Sequence, residues 1–300
     1  MEIVIDFSIL IGENLRDIFL KAFVVGLLTS ICAAVLGVPL VLKRYSMIGD
    51  GLSHMGFCAL AIVSALGVSD ANSMYITMPF IVVAAIFLLL LSETGKIKGD
   101  AAIAMLSTGA VGAGYIIYCL AGKDAAEVCS SLFGSAILAL DSGDVTISVI
   151  LAAAVLLVFV LLFTKIFAIT FDAAFAKAAG TNVMLYNVLL AVLTAVTIVV
   201  GMKMIGSIMI SSLIVFPALT AMRICKRFKS VIVLSAVISA VCFVLGLVFA
   251  ATVEINFSAG KAVSFPIGPC VVGFNVLAFV ITVIVKKIHE MAIAKKHLSE

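Results

Sequence analysis

An aspartate and a histidine stand four residues apart in a stretch that is otherwise apolar. They are Asp50 and His54, within residues 45–60, YSMIGDGLSHMGFCAL. On a helix that spacing puts both side chains on one face, a turn apart. A carboxylate oxygen and an imidazole nitrogen together suit Zn²⁺, Mn²⁺ or Fe²⁺. Two ligands make a weak site, which fits a path that must release what it binds. The same pair also reads as a proton relay, or as a helix-start Asp with a His bonded to a nearby backbone carbonyl. Inside a membrane segment such residues are costly, so a functional role is the default hypothesis. The other histidines, His289 and His297, sit in a Lys-rich tail and read as a solvated face.

The elements that must position this pair follow from composition. The 300 residues are 64% hydrophobic and 12% charged, and mean hydropathy is +1.35. A soluble domain carries about 25% charged residues, so the chain reads as an all-α polytopic membrane protein. Crossing hydrocarbon takes about 20 apolar residues. Nine uncharged runs qualify: 22–42, 51–69, 71–92, 101–122, 145–164, 178–202, 204–222, 230–253 and 262–285. If 204–222 only dips into the bilayer, eight spans remain. The shorter run 128–140 reads as a re-entrant or surface helix. The acidic N-terminus lacks the basic start of a signal peptide and reads as a short surface segment over 1–17. The whole of 1–300 reads as one transmembrane domain with a basic tail at 286–300.

Charge sets the orientation. With nine spans and the N-terminus outside, 14 of the 19 Lys and Arg fall inside, including Lys43, Arg44, Arg223, Lys226, Arg227, Lys229, Lys286 and Lys287. The positive-inside rule therefore places the N-terminus outside and the C-terminus in the cytoplasm of a plasma membrane. Asp50 and His54 then follow the inner Lys43/Arg44 loop. The small net charge of +3 gives no reason to expect a nucleic-acid partner.

Other features have two readings each. FDAAFAKAAGTN, 171–182, lies between two spans. Asp172 suits a helix start and Gly180 a helix end, so it is a docking helix for a cytosolic partner or an ordinary loop. Pro217 in SSLIVFPALTA bends its helix, beside a pore or for general reasons. Pro266 and Pro269 open the last span in the same ambiguous way. Glu254 guards an outer entrance or caps its helix in water. Asp141 and Asp144 fall at an outer interface. Gly109–Gly114, GAVGAG, permits close helix approach. The seven cysteines show no CxxC pair; Cys119 and Cys129 could meet near one outer loop. No GxxxxGK[ST] pattern occurs, so the chain does not bind ATP by that device.

Three motifs in order carry a resemblance: KRYSMIGDGLSHMGFCALA (43–61), LFGSAILALDSGDV (132–145), and FDAAFAKAAGTN leading through VGMKMIGSIMISSLIVFPALTA (171–221). Together they resemble the membrane permeases of ATP-binding-cassette importers for zinc, manganese and iron, the ABC-3 permeases, over about residues 16–286. The resemblance implies a homodimer, two cytosolic ATPase subunits that bind the ATP, and an extracytoplasmic metal-binding protein. It implies a transport subunit and no enzyme, with Zn²⁺ or Mn²⁺ as cargo and no cofactor bound by this chain. Asp172, Ala173 and Ala174 through Gly180 match the coupling helix that docks into the ATPase. Asp50 and His54 match the acidic residue and histidine at the metal path. Near the end the chain departs from the family: NFSAGKAV lengthens an outer turn, and Ser264 and Phe265 precede Pro266. A third ligand stays open, with Glu254 as the candidate.

The rival readings are a proton-driven secondary transporter, an intramembrane metalloprotease and a permease for a metal chelate. Few charged residues lie inside the spans to serve a proton relay. HExxH is absent, and one membrane histidine is too few for catalytic zinc. A bulky chelate needs a wide path, whereas a compact Asp/His pair suits a bare ion.

Overall fold

A computed structural model of the chain describes residues 2–5, 13–45, 47–67, 70–93, 99–122, 142–257 and 261–297. The helices are α1 (Glu13–Leu42), α2 (Ile48–Ala65), α3 (Asp70–Glu93), α4 (Gly99–Leu120), α5 (Ser142–Leu161), α6 (Phe163–Phe171), α7 (Ala173–Ala178), α8 (Val183–Ile205), α9 (Ser207–Ile224), α10 (Phe228–Thr252) and α11 (Ile267–His297). Hydrocarbon offers no partner to an unpaired backbone group, which leaves helices and closed barrels, and continuous apolar runs of about 20 residues select the helix.

Each of the nine apolar runs falls largely on a helix, although 262–264 lies on a strand and 179–182 links two helices. Among the described residues, α1, α2, α4, α8, α9, α10 and α11 are each long and apolar enough to cross a membrane. The run 145–164 is instead a pair, α5 and α6, bent by 66°, which counts as an eighth crossing if taken as one. The run 71–92 lies on α3, whose apolar part, Ile76–Leu88, is shorter. The stretch 128–140 lies outside the described residues, as do Asp141 and Cys129, and with Cys129 the pairing of Cys119.

Helix α1 is the axis of the bundle. Ala22, Ala33, Ala34, Leu36 and Val38 are fully buried on it. Its small residues let α10 approach closely enough for side chains to reach its backbone. Ser239 Oγ donates to the Ser30 carbonyl at 2.9 Å and Ser235 Oγ to that of Ala34 at 3.2 Å. Such interhelical bonds hold membrane helices together where burial of apolar surface cannot. Rising residue numbers on α1 match falling ones on α10, so the two run antiparallel. Helix α9 packs on another face of α1. A Cβ built on Gly37 would lie only 1.9 Å from the Ile214 carbonyl oxygen.

One element was not expected. Residues Glu2–Ile5 (β1), Val253–Phe257 (β2) and Lys261–Ser264 (β3) form a small antiparallel sheet in the order β1-β2-β3. Ile3 stands opposite Ile255, and Ile255 opposite Val263. The sheet sits at the end of α10, outside the helical bundle, so the membrane part stays all-α. It also joins the N-terminus to the β2–β3 hairpin. Since α11 leaves that hairpin and runs away from it along the bundle, β1 and the far end of α11 lie at opposite ends of it.

A candidate metal path on helix 2

The turn before α2 is tight. The Tyr45 N–H donates to the Leu40 carbonyl at 2.9 Å and the Arg44 N–H to that of Val41 at 3.1 Å. This is the double bond pattern that closes a helix C-terminus. The residue in the left-handed position is Arg44, with φ +63°. Beside it, Lys43 Nζ donates to Asn187 Oδ1 and ties the end of α1 to the start of α8.

Helix α2 starts at Ile48 with no side-chain cap. Asp50 stands in its first turn, where the helix dipole favours a carboxylate. Its side chain does not cap the helix; it reaches forward to His54. His54 Nε2 lies 3.2 Å from Asp50 Oδ1. His54 Nδ1 is buried and has no hydrogen-bond partner. The structure therefore brings the predicted pair together and rules against a histidine bonded to a nearby carbonyl. The His54 side chain is 19% exposed and that of Asp50 42%. With Cys58 and Ile62 they form the accessible stripe of a helix otherwise packed on several sides. Ile214 of α9 covers Gly49, Ile103 of α4 covers Gly51, and Met202 of α8 with Ile81 of α3 covers Gly56.

These contacts also give the depth of the pair. Gly56 is level with Met202, and its neighbour Gly201 meets Thr29 of α1. His54 is thus level with about residue 30, the midpoint of the apolar part of α1, Phe19–Leu42. An ionisable pair at that depth costs about 2.5–3.5 kcal/mol per charged residue to insert, unless water or a cation reaches it.

Two chemistries are open to this geometry. The Asp50 oxygens and a histidine nitrogen can share one ion. Alternatively Asp50 holds Nε2–H and orients the ring, as a carboxylate does behind a metal-bound histidine; Nδ1 is buried here, so it can act as the ligand only once the helices around it move. Among the described residues, no group of three or more His, Cys, Asp or Glu side chains is placed to hold a metal ion. Among the described residues of one chain the site is a two-residue one.

Glu254 does not join it. It lies on β2, opposite Val4 and Ser264. That is beyond the end of α10, about 20 Å along the bundle from His54 at 1.5 Å per helical residue. Its side chain lies outside the described residues.

At the other end, residues 171–182 hold a short helix, α7. Asp172 caps α7 by accepting from the Phe175 N–H at 2.8 Å. Gly180 closes it at φ +78°, with Thr181 N–H bonded to the Ala176 carbonyl and Gly180 N–H to that of Lys177. Ala173, Ala174 and Phe175 are exposed, Phe175 by 68%. Such a large apolar side chain on a short surface helix suits a protein partner.

Sequence reasoning missed both Phe175 and the ring cluster behind it. Phe163, Phe167 and Phe171 surround Phe228, with ring centroids 5.5, 5.2 and 5.6 Å away. The signal was there: Phe recurs at 159, 163, 167, 171 and 175, every fourth residue.

The model of the ABC 3 transport family matches residues 16–286. The manganese import system permease protein ScaB of Streptococcus gordonii is 30% identical over 249 residues, 83% of this chain and 86% of that protein. The chelated iron transport system membrane protein YfeD of Yersinia pestis is 26% identical, covering 88% of this chain and 84% of its own length. The solved structure of PsaBC from Streptococcus pneumoniae in complex with Fab is similar at a TM-score of 0.74 and 28% identity, with 92% of each chain covered.

Proposed function

The chain belongs to the ABC 3 transport family, and from that membership we propose that it moves a divalent transition-metal ion, with Mn²⁺ preferred, into the cell by alternating access. Its class is that of a multi-pass permease subunit of the plasma membrane and of metal import, a transport subunit and not an enzyme. The observation that carries the finer reading is the Asp50–His54 contact at the mid-depth of the bundle.

Mn²⁺ is favoured over Zn²⁺ by the ligand set and by the relatives. A carboxylate with one imidazole, and no described thiolate cluster, suits a hard-to-borderline ion. The matched ScaB protein is named for manganese import. YfeD, named for chelated iron, keeps iron as a competitor. The narrow, close-packed flank of α2 supports a bare ion over a chelate.

Two cytosolic ATPase subunits dock on α7, with Phe175 as the apolar anchor and the capped ends, Asp172 and Gly180, holding the helix rigid. Two copies of the chain pair, and the accessible stripe of α2 faces the path. An extracytoplasmic metal-binding protein delivers the ion at the end that carries the sheet, where Glu254 stands. This end is outside, because the opposite end holds Lys43, Arg44, Arg223, Lys286 and Lys287. The ion then meets Asp50 and His54 halfway and leaves inward.

The test is ATP hydrolysis by the reconstituted permease–ATPase complex with its binding protein loaded with Mn²⁺, Zn²⁺ or Fe²⁺ in turn. Mn²⁺ gives the largest stimulation. Transport driven by an ion gradient with no ATPase present overturns the reading, and equal or greater stimulation by Zn²⁺ or Fe²⁺ overturns the metal preference.

A further inference from the structure

The end of the bundle opposite the sheet carries a concentrated positive patch. Arg223, Lys226, Arg227 and Lys229 lie in or beside the short link from α9 to α10, and Lys286 and Lys287 lie on α11. All six are exposed. Among the described residues none of them forms an ion pair. The acids within reach do not neutralise them. Glu290, one turn beyond Lys286, is exposed and makes no ion pair among the described residues, and Asp172 is engaged in capping α7.

Two of the cations lie over rings: Lys229 Nζ is 5.8 Å from the centroid of Phe163 on α6, and Arg223 is held against α11. The Arg223 guanidinium lies 5.8 Å from the centroid of the Phe279 ring on α11. That contact costs the arginine its freedom while leaving its five N–H donors largely unspent. Phe279 and Lys286 are seven residues apart on α11, so they share a face two turns, about 10 Å, along the axis. Arg223 and Lys286 therefore flank one stretch of the seam between α9 and α11. The same helix exposes a run of large apolar side chains up to and around the lysines: Leu277, Ile281, Ile284, Val285 and Ile288 are each about half exposed or more. In a bilayer that run faces acyl chains, and the cations stand at the headgroup level among its last residues.

We propose that Arg223, Lys286 and Lys287 form a binding site for the phosphate headgroup of an anionic phospholipid, with its acyl chains lying along α11. The occupant is a lipid and not the ATPase, because the cations border the lipid-facing apolar run of α11, whereas the exposed aromatic docking side chain is on α7. The arginine offers a planar pair of donors to a phosphate, and clustered cations next to a membrane helix attract anionic headgroups. The inference does not depend on which metal is carried.

The experiment uses the permease–ATPase complex in nanodiscs holding equal amounts of phosphatidylcholine and phosphatidylglycerol. Lipid retained by the protein is read by native mass spectrometry after extraction. The wild type retains phosphatidylglycerol in preference to phosphatidylcholine, and raised salt weakens that preference. The triple substitution Arg223→Gln, Lys286→Gln, Lys287→Gln lowers retained phosphatidylglycerol at least roughly tenfold at low salt, while Lys165→Gln leaves it unchanged. Arg223→Gln alone gives a partial loss if the triple variant does not fold. Equal retention of the two lipids by the wild type overturns the proposal. So does a preference that persists in both the triple and the single variant, or one that vanishes only when the ATPase is removed.

Discussion

The ring of Phe228 lies 5.2 Å from that of Phe167. The contact joins the first residue of α10 to the bent segment that leads into α7. Phe228 is 7% exposed and is held by Phe163 and Phe171 as well. At its far end α10 runs straight into β2. The Phe228→Ala change is expected to cost on the order of 3 kcal/mol, as for other buried phenylalanines. It is also expected to lower the metal moved per ATP hydrolysed, because motion of α7 then reaches α10 less directly. Parallel assays of uptake and hydrolysis check this; an unchanged ratio in a folded variant counts against it.

Gly37 has no room for a side chain. A methyl group there would lie 1.9 Å from the Ile214 carbonyl oxygen, so α1 and α9 would have to separate. Gly37→Ala is expected to destabilise by about 1–3 kcal/mol or more. The same change at Gly109, where an added Cβ meets nothing within 4 Å, is expected to be neutral or to stabilise by up to about 1 kcal/mol through helix propensity. The thermal midpoint of the purified protein should fall for Gly37→Ala and hold or rise for Gly109→Ala.

Arg44 takes a left-handed backbone conformation at φ +63°, which costs a non-glycine residue about 1–2 kcal/mol. Glycine removes that cost but adds about 0.4–1 kcal/mol of unfolded-chain entropy. Arg44→Gly should therefore be mildly stabilising, and Arg44→Val, with a β-branched side chain, clearly destabilising. Thermal unfolding in detergent checks the order Gly above Arg above Val.

Much of this architecture was legible because a bilayer leaves an apolar chain few choices. Length and hydropathy marked the helical runs, though not the strand at the start of 262–285, and four-residue spacing placed Asp50 beside His54. Asp172 and Gly180 marked the ends of α7 through turn chemistry that is local in sequence. What escaped notice was set by long-range pairing. The strand at Glu2–Ile5 is too short to announce itself and exists only opposite Val253–Phe257. The bend between α5 and α6 contains no proline or glycine; the four-residue repeat of Phe was visible in the sequence, but its packing around Phe228, more than fifty residues on, was not. The orphaned Nδ1 of His54 belongs to the same class, since burial by neighbouring helices cannot be read from one helix.

The central claim is that metal crosses by way of Asp50 and His54. Its most direct test is uptake of radiolabelled Mn²⁺ into proteoliposomes by the complete complex carrying Asp50→Ala together with His54→Ala. Uptake is predicted to fall to the background of empty vesicles, with assembly and basal ATP hydrolysis retained. Undiminished uptake by the double variant would contradict the account.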